Sequence, residues 1–574
     1  MNGEKQIRNA LWILLVTSLL IRAMIAAFLE LGNDEVYYRT YALFPDWSHF
    51  DHPPMVGWLI QLFTLNLFFD SEFFLRLASL VFGTINTWMV FRIGKKIKDG
   101  LTGLYAAFLF TASFYCFVIS GTFIMPDTPQ VFFWLLSLYL LLECLPDRNL
   151  TGRSRYFLLL AGLTTGLALL SKYHSVFLIL GVFLYMLVYN RKWFRAKETY
   201  LAFLLAMILF LPVVIWNYRN DFISFSYQES RIGPTHHGIR CDFFITEMAG
   251  QVSYNNPVNF ILIVSSLVAW IAGRRFIGKE SFRFLILTSL PLSLLFLVFS
   301  LFDATLPHWT GPAYLGFILI AASWLSSIQD LRTKKKILPW GIRISLSLML
   351  IFVVLAFGQI RYGWIPFRKT GAADITAELY GWQQLGARFR EIAKTDEEEG
   401  LMDPSSPLVT FRWFPAAHFD YYVAGPIQKK VYAWGTLEQI HKYYWIDRER
   451  GNIPEGTDLY YLVMKDDYGS PYDLYGRLFT AISPPDTLFI TRGRDTIREA
   501  YVYRLLGLKK EIRFNRITDF IQPSPERIHH WKIQILTNPD WYRKTVMKSR
   551  RQNRPLEDVL WEEAVWAAEF EMRQ

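Results

Sequence analysis

The chain has 574 residues, of which 52% are hydrophobic and 17% aromatic, and its formal net charge is +10. The apolar content excludes an ordinary soluble protein and indicates an integral membrane protein. The positive charge does not indicate nucleic-acid binding, because much of the Lys and Arg lies in short loops between apolar segments, as membrane insertion requires.

About eleven apolar segments are predicted to cross a membrane, because windows of about 17 to 25 apolar residues match a hydrocarbon core roughly 30 Å thick. They cover residues 11–31, 73–92, 101–120, 128–145, 156–171, 174–190, 199–217, 257–273, 284–302, 311–328 and 338–360. The fold class is therefore a polytopic α-helical membrane protein.

Clusters of Lys and Arg in every second loop predict which side of the membrane each loop faces. The clusters lie at residues 92–98, 148–155, 191–197, 274–283 and 332–336. These loops are predicted to be cytoplasmic, together with the N-terminus. An odd number of spans then places everything after residue 360 on the periplasmic side of a bacterial cytoplasmic membrane.

The remainder of the chain has the composition of a soluble domain. "PLVTFRWF", "DLYYLVMK" and "YVYRLLGLKK" are predicted strands, and residues 375–393 have helical spacing. Residues 1–360 are thus predicted as the membrane domain and 361–530 as an extracytoplasmic α/β domain. Residues 531–574 are predicted as a pair of amphipathic helices, with Asn538 or Asp540 as a cap and Pro555 opening the last helix.

The loops opposite the basic clusters contain few Lys or Arg and gather acids and histidines on one face. The members of this group are Asp34, Glu35, Asp46, Asp51, His52, Asp127, His174, His236, His237, Asp303 and His308. Such groups deprotonate a hydroxyl, hold a divalent cation or bind phosphate. Because five loops contribute, a functional site at this face is favoured over chance clustering.

Single residues of these loops also have structural explanations. The prolines of "DHPP" fix the direction of His52, and Asp127 in "MPDTP" is either a helix cap or a catalytic acid. Lys172 is either an interfacial anchor or a ligand of a lipid phosphate. Arg22 and Arg76 lie in or near spans, where an arginine faces a protein interior or water-filled cavity, or snorkels to the interface.

Six motifs together resemble a known enzyme family. They are "NDEVYYRTYA", "FDHPPMVGWLI", "SEFFLRLASLVFG", "MPDTPQVFFW", "GLTTGLALLSKYHSVFL" and "LPHWTGPAY", and they cover roughly residues 15 to 320. In this order they resemble bacterial glycosyltransferases of the GT-C class, related to protein O-mannosyltransferases, aminoarabinose transferase and the lipid A galacturonosyltransferases.

The resemblance implies an enzyme that transfers a sugar from a polyprenyl-phosphate carrier to an acceptor on the outer face, with inversion at the anomeric carbon. It makes Asp34 the base, with Glu35 beside it, and Asp127 the second acid. His52 and Lys172 would contact the donor phosphate, although relatives often have Lys where this chain has His52. A neutral imidazole binds an anion less well than a lysine does.

Elementary chemistry agrees with this implication. An inverting transfer needs a base near the acceptor and donors or cations for the departing phosphate, here Asp34 with Lys172, His52 and Arg231. Asp51 and the aromatic or polar groups Tyr37, His308 and Trp309 are candidates for binding the substrate. No soluble cofactor is required, whether a divalent cation assists is left open, and the polyprenyl chain should lie between spans that open to the bilayer.

Two other functions remain as alternatives. A flippase or transporter of lipid-linked sugars would also have many spans, but it needs polar residues along the whole path. An oligosaccharide ligase shares the carrier and the side of the membrane. The residues leave open whether the acceptor is lipid A, another glycan or a protein.

Overall fold

The computed structural model describes residues 2–146, 150–231, 238–328, 338–365, 374–514, 525–552 and 555–572. The chain forms two compact units, Met1–Ile365 and Pro366–Gln574. Arg148, the basic cluster at 332–336 and the two histidines His236 and His237 lie outside the described residues.

The first unit consists of helices, several of which are apolar around most of their circumference, a pattern typical of segments surrounded by protein or lipid. Their bounds are α1 Asn2–Phe28, α2 Asn33–Leu43, α3 Met55–Phe63, α4 Glu72–Leu75, α5 Leu77–Ile97, α6 Gly100–Ala112, α7 Asp127–Cys144, α8 Gly152–Leu169, α9 Val176–Tyr189, α10 Lys197–Arg219, α11 Ile223–Ser230, α12 Cys241–Tyr254, α13 Pro257–Ile271, α14 Lys279–Phe299, α15 Gly311–Ile328 and α16 Trp340–Tyr362. A π-helix covers Tyr115–Ile119, and short 3₁₀ helices cover Tyr173–Ser175, Arg191–Arg195 and Pro307–Thr310.

Among the described residues, six helices are long and apolar enough to cross a membrane: α1, α5, α10, α14, α15 with the preceding 3₁₀ turn, and α16. Helices α12 and α13 would give a seventh span together, but they are bent by 99° where they meet. Each of the eleven predicted segments overlaps a helix. The polytopic helical fold class is confirmed, whereas the number of membrane crossings stays a prediction.

Burial differs between the helices in the way that a membrane bundle requires. Almost every residue of α6 and α15 is buried, so these two helices form the centre of the unit. In contrast, α10 and α16 leave large apolar side chains such as Ile208 and Phe352 exposed. An exposed apolar surface of this extent is stable when lipid, not water, covers it.

The candidate site lies where the connections after α1, before α7 and after α8 meet. These connections, residues 29–32, 120–126 and 170–175, define what is called here the site end of the bundle. The opposite end, which carries the connection between α9 and α10, is called the basic end. Arg191, Lys192 and Arg195 lie in that connection.

A buried ion pair between Glu35 and Arg76 holds the site end together. The Arg76 Nε donates to Glu35 Oε1 at 2.7 Å, and the side chains of Arg76 and Glu35 are 0% and 2% exposed. The same carboxylate accepts hydrogen bonds from the backbone N–H of Gly32 at 3.0 Å and of Ile124 at 3.1 Å. Glu35 therefore joins the start of α2 to the segment that leads into α7.

Arg76 extends this network to the end of α1. Its guanidinium also donates to three backbone carbonyls, those of Ala26, Leu29 and Glu30. Arg76 and Arg22 are both fully buried in protein, and the Arg22 guanidinium lies 4.6 Å from the ring centre of Phe117. The alternative that these arginines snorkel to the membrane interface is therefore wrong.

The second unit contains a mixed sheet. Its strands are β1 Leu408–Thr410, β2 Val431–Ala433, β3 Leu459–Met464, β4 Phe479–Ile482, β5 Asp486–Arg492 and β6 Asp495–Leu508, in the order β2-β1-β3-β6-β4 with β5 also paired to β6. Strand β1 runs parallel to β2 and β3, whereas β6 runs antiparallel to its partners. The three predicted strands correspond to β1, β3 and β6, so the predicted α/β domain is confirmed.

Helices cover the rest of the second unit. Their bounds are Trp382–Glu398, Trp413–His418, Leu437–Ile440, Tyr443–Arg450, Pro471–Tyr475, Pro525–Thr537, Pro539–Gln552 and Leu556–Met572, with a π-helix at Phe419–Ala424 and 3₁₀ turns at Ile375–Leu379, Gly425–Ile427 and Lys465–Asp467. The sequence predicted two amphipathic helices after residue 530, and the structure has three helices from Pro525 onward. Asn538 accepts a hydrogen bond from the backbone N–H of Trp541 at 3.1 Å, which is the predicted cap.

Replacing Arg76 by Met tests the importance of the buried ion pair. The substitution leaves the Glu35 charge buried without its partner, which typically costs about 3 to 5 kcal/mol of stability. We expect a large decrease in the unfolding temperature of the purified protein in detergent, measured by thermal scanning. The matched control is Lys96→Met, which breaks the partly exposed pair with Glu143 at 2.8 Å and should cost less than about 1 kcal/mol. Equal decreases for both variants would contradict the account.

Candidate functional site

Asp34 occupies the first turn of α2, and its side chain is exposed at the site end. Its neighbour one turn later, Tyr38, is buried. Burial, and then the charges of Asp34 and Asp51, raise the pKa of Tyr38 well above its usual value. Asp34 also interacts electrostatically with Tyr254, the last residue of α12. The carboxylate of Asp34 is thus accessible and lies against a phenol-lined wall.

Asp127 and Lys172 form a second buried ion pair. The Lys172 ammonium donates to Asp127 Oδ2 at 2.7 Å, and the side chains of Lys172 and Asp127 are 4% and 1% exposed. Tyr115 donates its hydroxyl hydrogen bond to the other carboxylate oxygen, Oδ1, at 2.8 Å. Both predicted residues therefore belong to one centre, in which Asp127 at the start of α7 faces the connection between α8 and α9.

A close approach of the backbone makes room for Tyr115. A Cβ atom at position 311 would lie 2.1 Å from the Tyr115 ring, so only a glycine fits at the start of α15. Gly311 directly follows the 3₁₀ turn Pro307–Thr310, which contains His308 and Trp309. The packing of α15 on the Tyr115 ring therefore also brings that turn to the site.

Three histidines lie within electrostatic range of the Asp127–Lys172 pair. The charges of both partners act on His52, His174 and His308. The His174 ring lies 5.9 Å from the ring of Trp309, and the His308 ring lies 6.2 Å from that of Tyr254. The loops that carry His174 and His308 are thus close to each other at the site end.

His52 is neutral in this environment. Burial lowers its pKa to about 4, and the charges of Lys172 and Arg231 add to that effect although Asp51 opposes it. Its Nδ1 atom is buried without a hydrogen-bond partner among the described residues. His52 therefore offers a hydrogen-bonding nitrogen, not a positive charge, to an anion at this position.

Arg231 provides a cation without a carboxylate ion pair among the described residues. Its guanidinium lies 4.8 Å from the ring centre of Trp309 and 5.5 Å from that of Tyr227. Its charge acts on His52 and His308. Because stacking on aromatic rings leaves the hydrogen-bond donors of a guanidinium unused, Arg231 can bind an anion at its edge.

Asp51 and Tyr37, predicted to contact the substrate, bind each other. The Tyr37 hydroxyl donates to Asp51 Oδ1 at 2.9 Å, and the Tyr41 hydroxyl donates to the same oxygen. All three side chains are buried. The Tyr38 ring next to them contacts His52 at 5.7 Å between ring centres. This arrangement favours a supporting role, in which Asp51 and Tyr37 fix the loop that carries His52.

Glu35, predicted as catalytic beside Asp34, has a different environment from its neighbour. Its carboxylate is fully engaged by Arg76 and by two backbone N–H groups. Both carboxylate oxygens of Glu35 accept hydrogen bonds within the protein and the side chain is buried, so it is not presented to a substrate. The geometry favours a structural role for Glu35.

Two further groups at the site were not singled out in the sequence. Tyr115 lies in an apolar segment twelve positions before its partner Asp127, and no local pattern marks it. Glu247 on α12 is buried and accepts hydrogen bonds from Gln251 at 2.8 Å and from Thr305 at 2.8 Å. Glu247, Gln251 and Tyr254 recur at helical spacing, which could have indicated a polar face on α12.

The described residues contain no group of three or more His, Cys, Asp or Glu side chains arranged to hold a metal ion. The site offers instead two ion pairs, a stacked guanidinium and neutral imidazoles. This set of groups suits the binding of an anion beside an accessible carboxylate.

Comparisons with known proteins found a family model and several proteins to which this chain is similar. Residues 51–216 match the family model described as dolichyl-phosphate-mannose-protein mannosyltransferase. A lipid A galacturonosyltransferase of Rhizobium johnstonii is 22% identical over 319 residues, which are 55% of this chain and 63% of that protein. An uncharacterized protein of Aquifex aeolicus is 23% identical over 379 residues, which are 62% of this chain and 73% of that protein.

A solved structure has the same fold. The crystal structure of ArnT from Cupriavidus metallidurans bound to undecaprenyl phosphate matches with a TM-score of 0.57 and 13% identity, covering 86% of this chain and 97% of that one. Together these matches confirm the resemblance indicated by the six sequence motifs.

Proposed function

We propose that this chain, a membrane glycosyltransferase of the GT-C class, transfers a sugar from a polyprenyl phosphate to a hydroxyl group of an envelope acceptor, with inversion at the anomeric carbon. The observation that carries the proposal is the Asp127–Lys172 pair with Arg231 and neutral histidines beside the accessible Asp34. The donor class is supported by the undecaprenyl phosphate bound to the ArnT structure of the same fold.

The basic groups would receive the phosphate of the donor. The positive charge of Lys172 is paired with the carboxylate of Asp127 at 2.7 Å, so a phosphate that approaches Lys172 shares this ammonium with that carboxylate. Arg231 adds a positive charge that no carboxylate of the described residues pairs with, and His52 adds a hydrogen-bonding nitrogen. Charge-assisted hydrogen bonds of this kind stabilise the phosphate as it leaves the sugar.

Asp34 would act on the acceptor. The acceptor oxygen attacks the anomeric carbon, the bond from that carbon to the phosphate oxygen breaks with its electron pair on the phosphate, and Asp34 takes the hydroxyl proton. Because the attacking and leaving oxygens lie on opposite faces of the sugar, the configuration inverts. The exposed Asp34 is accessible to an acceptor, unlike Glu35 beside it.

Aromatic groups around the site would hold the sugar and exclude water. Tyr38 lies near the carboxylate of Asp34. Tyr254 lies beside His308, and Trp309 lies beside Arg231. Their rings offer flat apolar faces, while His308 offers a polar edge. A site closed by such rings protects the electron-poor anomeric carbon from hydrolysis.

We also propose a location and a side. The loops with basic clusters would face the cytoplasm, so the site end and the second unit would face the periplasm of a bacterial cytoplasmic membrane. The apolar chain of the donor would lie between helices that open to lipid. The acceptor remains a hydroxyl of lipid A, another glycan or a protein.

A transporter of lipid-linked sugars is less well supported. Its pathway would need polar groups from one end of the bundle to the other, but α6 and α15 at the centre are predominantly apolar. The titratable groups described above gather at the site end. This distribution favours chemistry at one face over passage between two faces.

Asp34→Asn tests the role of the proposed base. General base catalysis typically contributes about 10²- to 10⁴-fold, so we expect a loss of that size in the rate of sugar transfer by the purified protein. The matched control is Asp46→Asn, an exposed acid in the connection after α2, where the carboxylate accepts a hydrogen bond from Trp216; its rate should stay within a few-fold of wild type. Binding of polyprenyl phosphate should be retained in both. An Asp34→Asn protein with the wild-type rate would exclude Asp34 as the base.

Arg231→Gln tests the proposed phosphate site. Removal of this charge should weaken binding of polyprenyl phosphate by about tenfold, as expected for one charged hydrogen bond of roughly 1.5 kcal/mol. Affinity is measured by titration of the detergent-solubilised protein. Arg219→Gln is the control, because this arginine also stacks on a tryptophan, Trp47, at 5.5 Å but has no place in the cluster. If both variants bound the donor as wild type does, Arg231 would not contact the phosphate.

A further inference from the structure

An apolar cavity that is open on one side lies between helices of the first unit, away from the site end. Its volume is about 360 Å³, which is in the range of ligand-binding pockets. The wall comes from α7, α8, α9 and α10 and is almost wholly apolar; it includes Leu141, Leu158, Ala161, Val182, Met186 and Phe203. A cavity of this composition accepts a hydrocarbon chain and excludes a sugar or a phosphate.

The position of the cavity separates it from the proposed catalytic centre. Its wall residues nearest to Lys172 along the chain are Thr165 on α8 and Ile179 on α9. Thr165 lies four residues before the last residue of α8 and Ile179 three residues after the first residue of α9, so about one turn of each helix separates the wall from the connection that carries Lys172. From there the cavity extends towards the basic end, where Phe194, Thr199 and Tyr200 complete its wall.

The basic connection between α9 and α10 borders one end of the cavity, where Phe194 and Thr199 belong to the wall. The Thr199 hydroxyl donates to the Trp193 carbonyl at 2.6 Å, and the Tyr200 hydroxyl donates to the Phe194 carbonyl at 2.9 Å. These bonds hold the 3₁₀ turn Arg191–Arg195 directly over the cavity wall. The turn is therefore an ordered rim and not a loop that merely passes the end of the bundle.

The rim is strongly basic. Arg191, Lys192, Arg195 and Lys197 are all exposed. The nearby acid Glu198 is 8% exposed and pairs with Arg155 at 3.5 Å. An apolar cavity thus ends at a cluster of cations that are available to an anion in the membrane interface.

We propose that the cavity binds an acyl chain of one anionic phospholipid, whose headgroup phosphate contacts Lys192 and Arg195 at the rim. The apolar wall matches the chain, and the cations match the phosphate; basic pockets between membrane helices bind anionic lipids in this way. The polyprenyl donor is the less suitable occupant, because its phosphate belongs to the opposite end of α8 and α9. The bound lipid fills the space between α9 and the α8–α10 pair and fixes their separation.

The experiment measures lipid retention by the purified full chain in a mild detergent. Phosphatidylglycerol is titrated onto the delipidated protein, and native mass spectrometry reports the number of bound molecules. The comparison is phosphatidylcholine, whose quaternary ammonium balances its phosphate so that it has no net charge. We expect one phosphatidylglycerol molecule to bind tightly and phosphatidylcholine to bind weakly. Each cation near the headgroup contributes about fivefold to affinity, so Lys192→Ala with Arg195→Ala should weaken binding roughly 20-fold.

Two further variants distinguish the cavity from a general surface effect. Arg274→Ala with Arg275→Ala removes two equally exposed cations from the connection between α13 and α14 and should leave phosphatidylglycerol binding unchanged. Ala161→Phe fills the cavity without changing charge and should abolish the tight site. The proposal is overturned if the Lys192/Arg195 variant binds as wild type does, if both charge variants lose binding equally, or if polyprenyl phosphate competes for this site in the wild type.

Discussion

The ion pair between Glu35 and Arg76 is the interaction on which the site end of this protein depends. Charges buried in a membrane-embedded bundle are costly, and pairing and hydrogen bonding reduce that cost. Here the pair accepts or donates bonds to the end of α1, the start of α2 and the backbone of Ile124. These are the segments that carry Asp34 and lead to Asp127. The position of the proposed base relative to the second acid is thus set by one buried salt bridge.

A second buried ion pair, Asp127–Lys172, lies on the side of the site where the donor is proposed to bind. Tyr115 and Lys172 each engage one oxygen of the Asp127 carboxylate, so its orientation is fixed before any substrate arrives. Burial lowers the pKa of the nearby His52 to about 4, so its imidazole is neutral. Arg231 then stands out as the cation whose charge has no carboxylate partner in the described part of the chain. The guanidinium of Arg231, together with the ammonium of Lys172, is suited to binding a single phosphate.

The sequence predicted the convergence of distant loops better than the roles of neighbouring residues. Asp34, His52, Asp127 and Lys172 could be grouped because membrane topology places alternate loops on one face. Glu35 could not be distinguished from Asp34, because adjacent residues of a helix point about 100° apart and only the position of Arg76 decides which one is buried.

Other features had no local pattern at all. Tyr115 lies at the start of a π-helix, packs against Gly311 and donates a hydrogen bond to Asp127. This contact depends on the packing of α6, α7 and α15. The strands of the second unit, in contrast, are visible from short apolar runs between turn residues. The bend of 99° between α12 and α13 falls at Asn255 and Asn256, and Asn256 has a positive φ of 70° directly before Pro257.

The most direct test of the account is to reconstitute the full chain in liposomes with polyprenyl phosphates that carry radiolabelled sugars and with bacterial envelope extract. The account predicts that label is recovered on an acceptor, with release of an equal amount of polyprenyl phosphate; label that crosses the bilayer still joined to its carrier would contradict it.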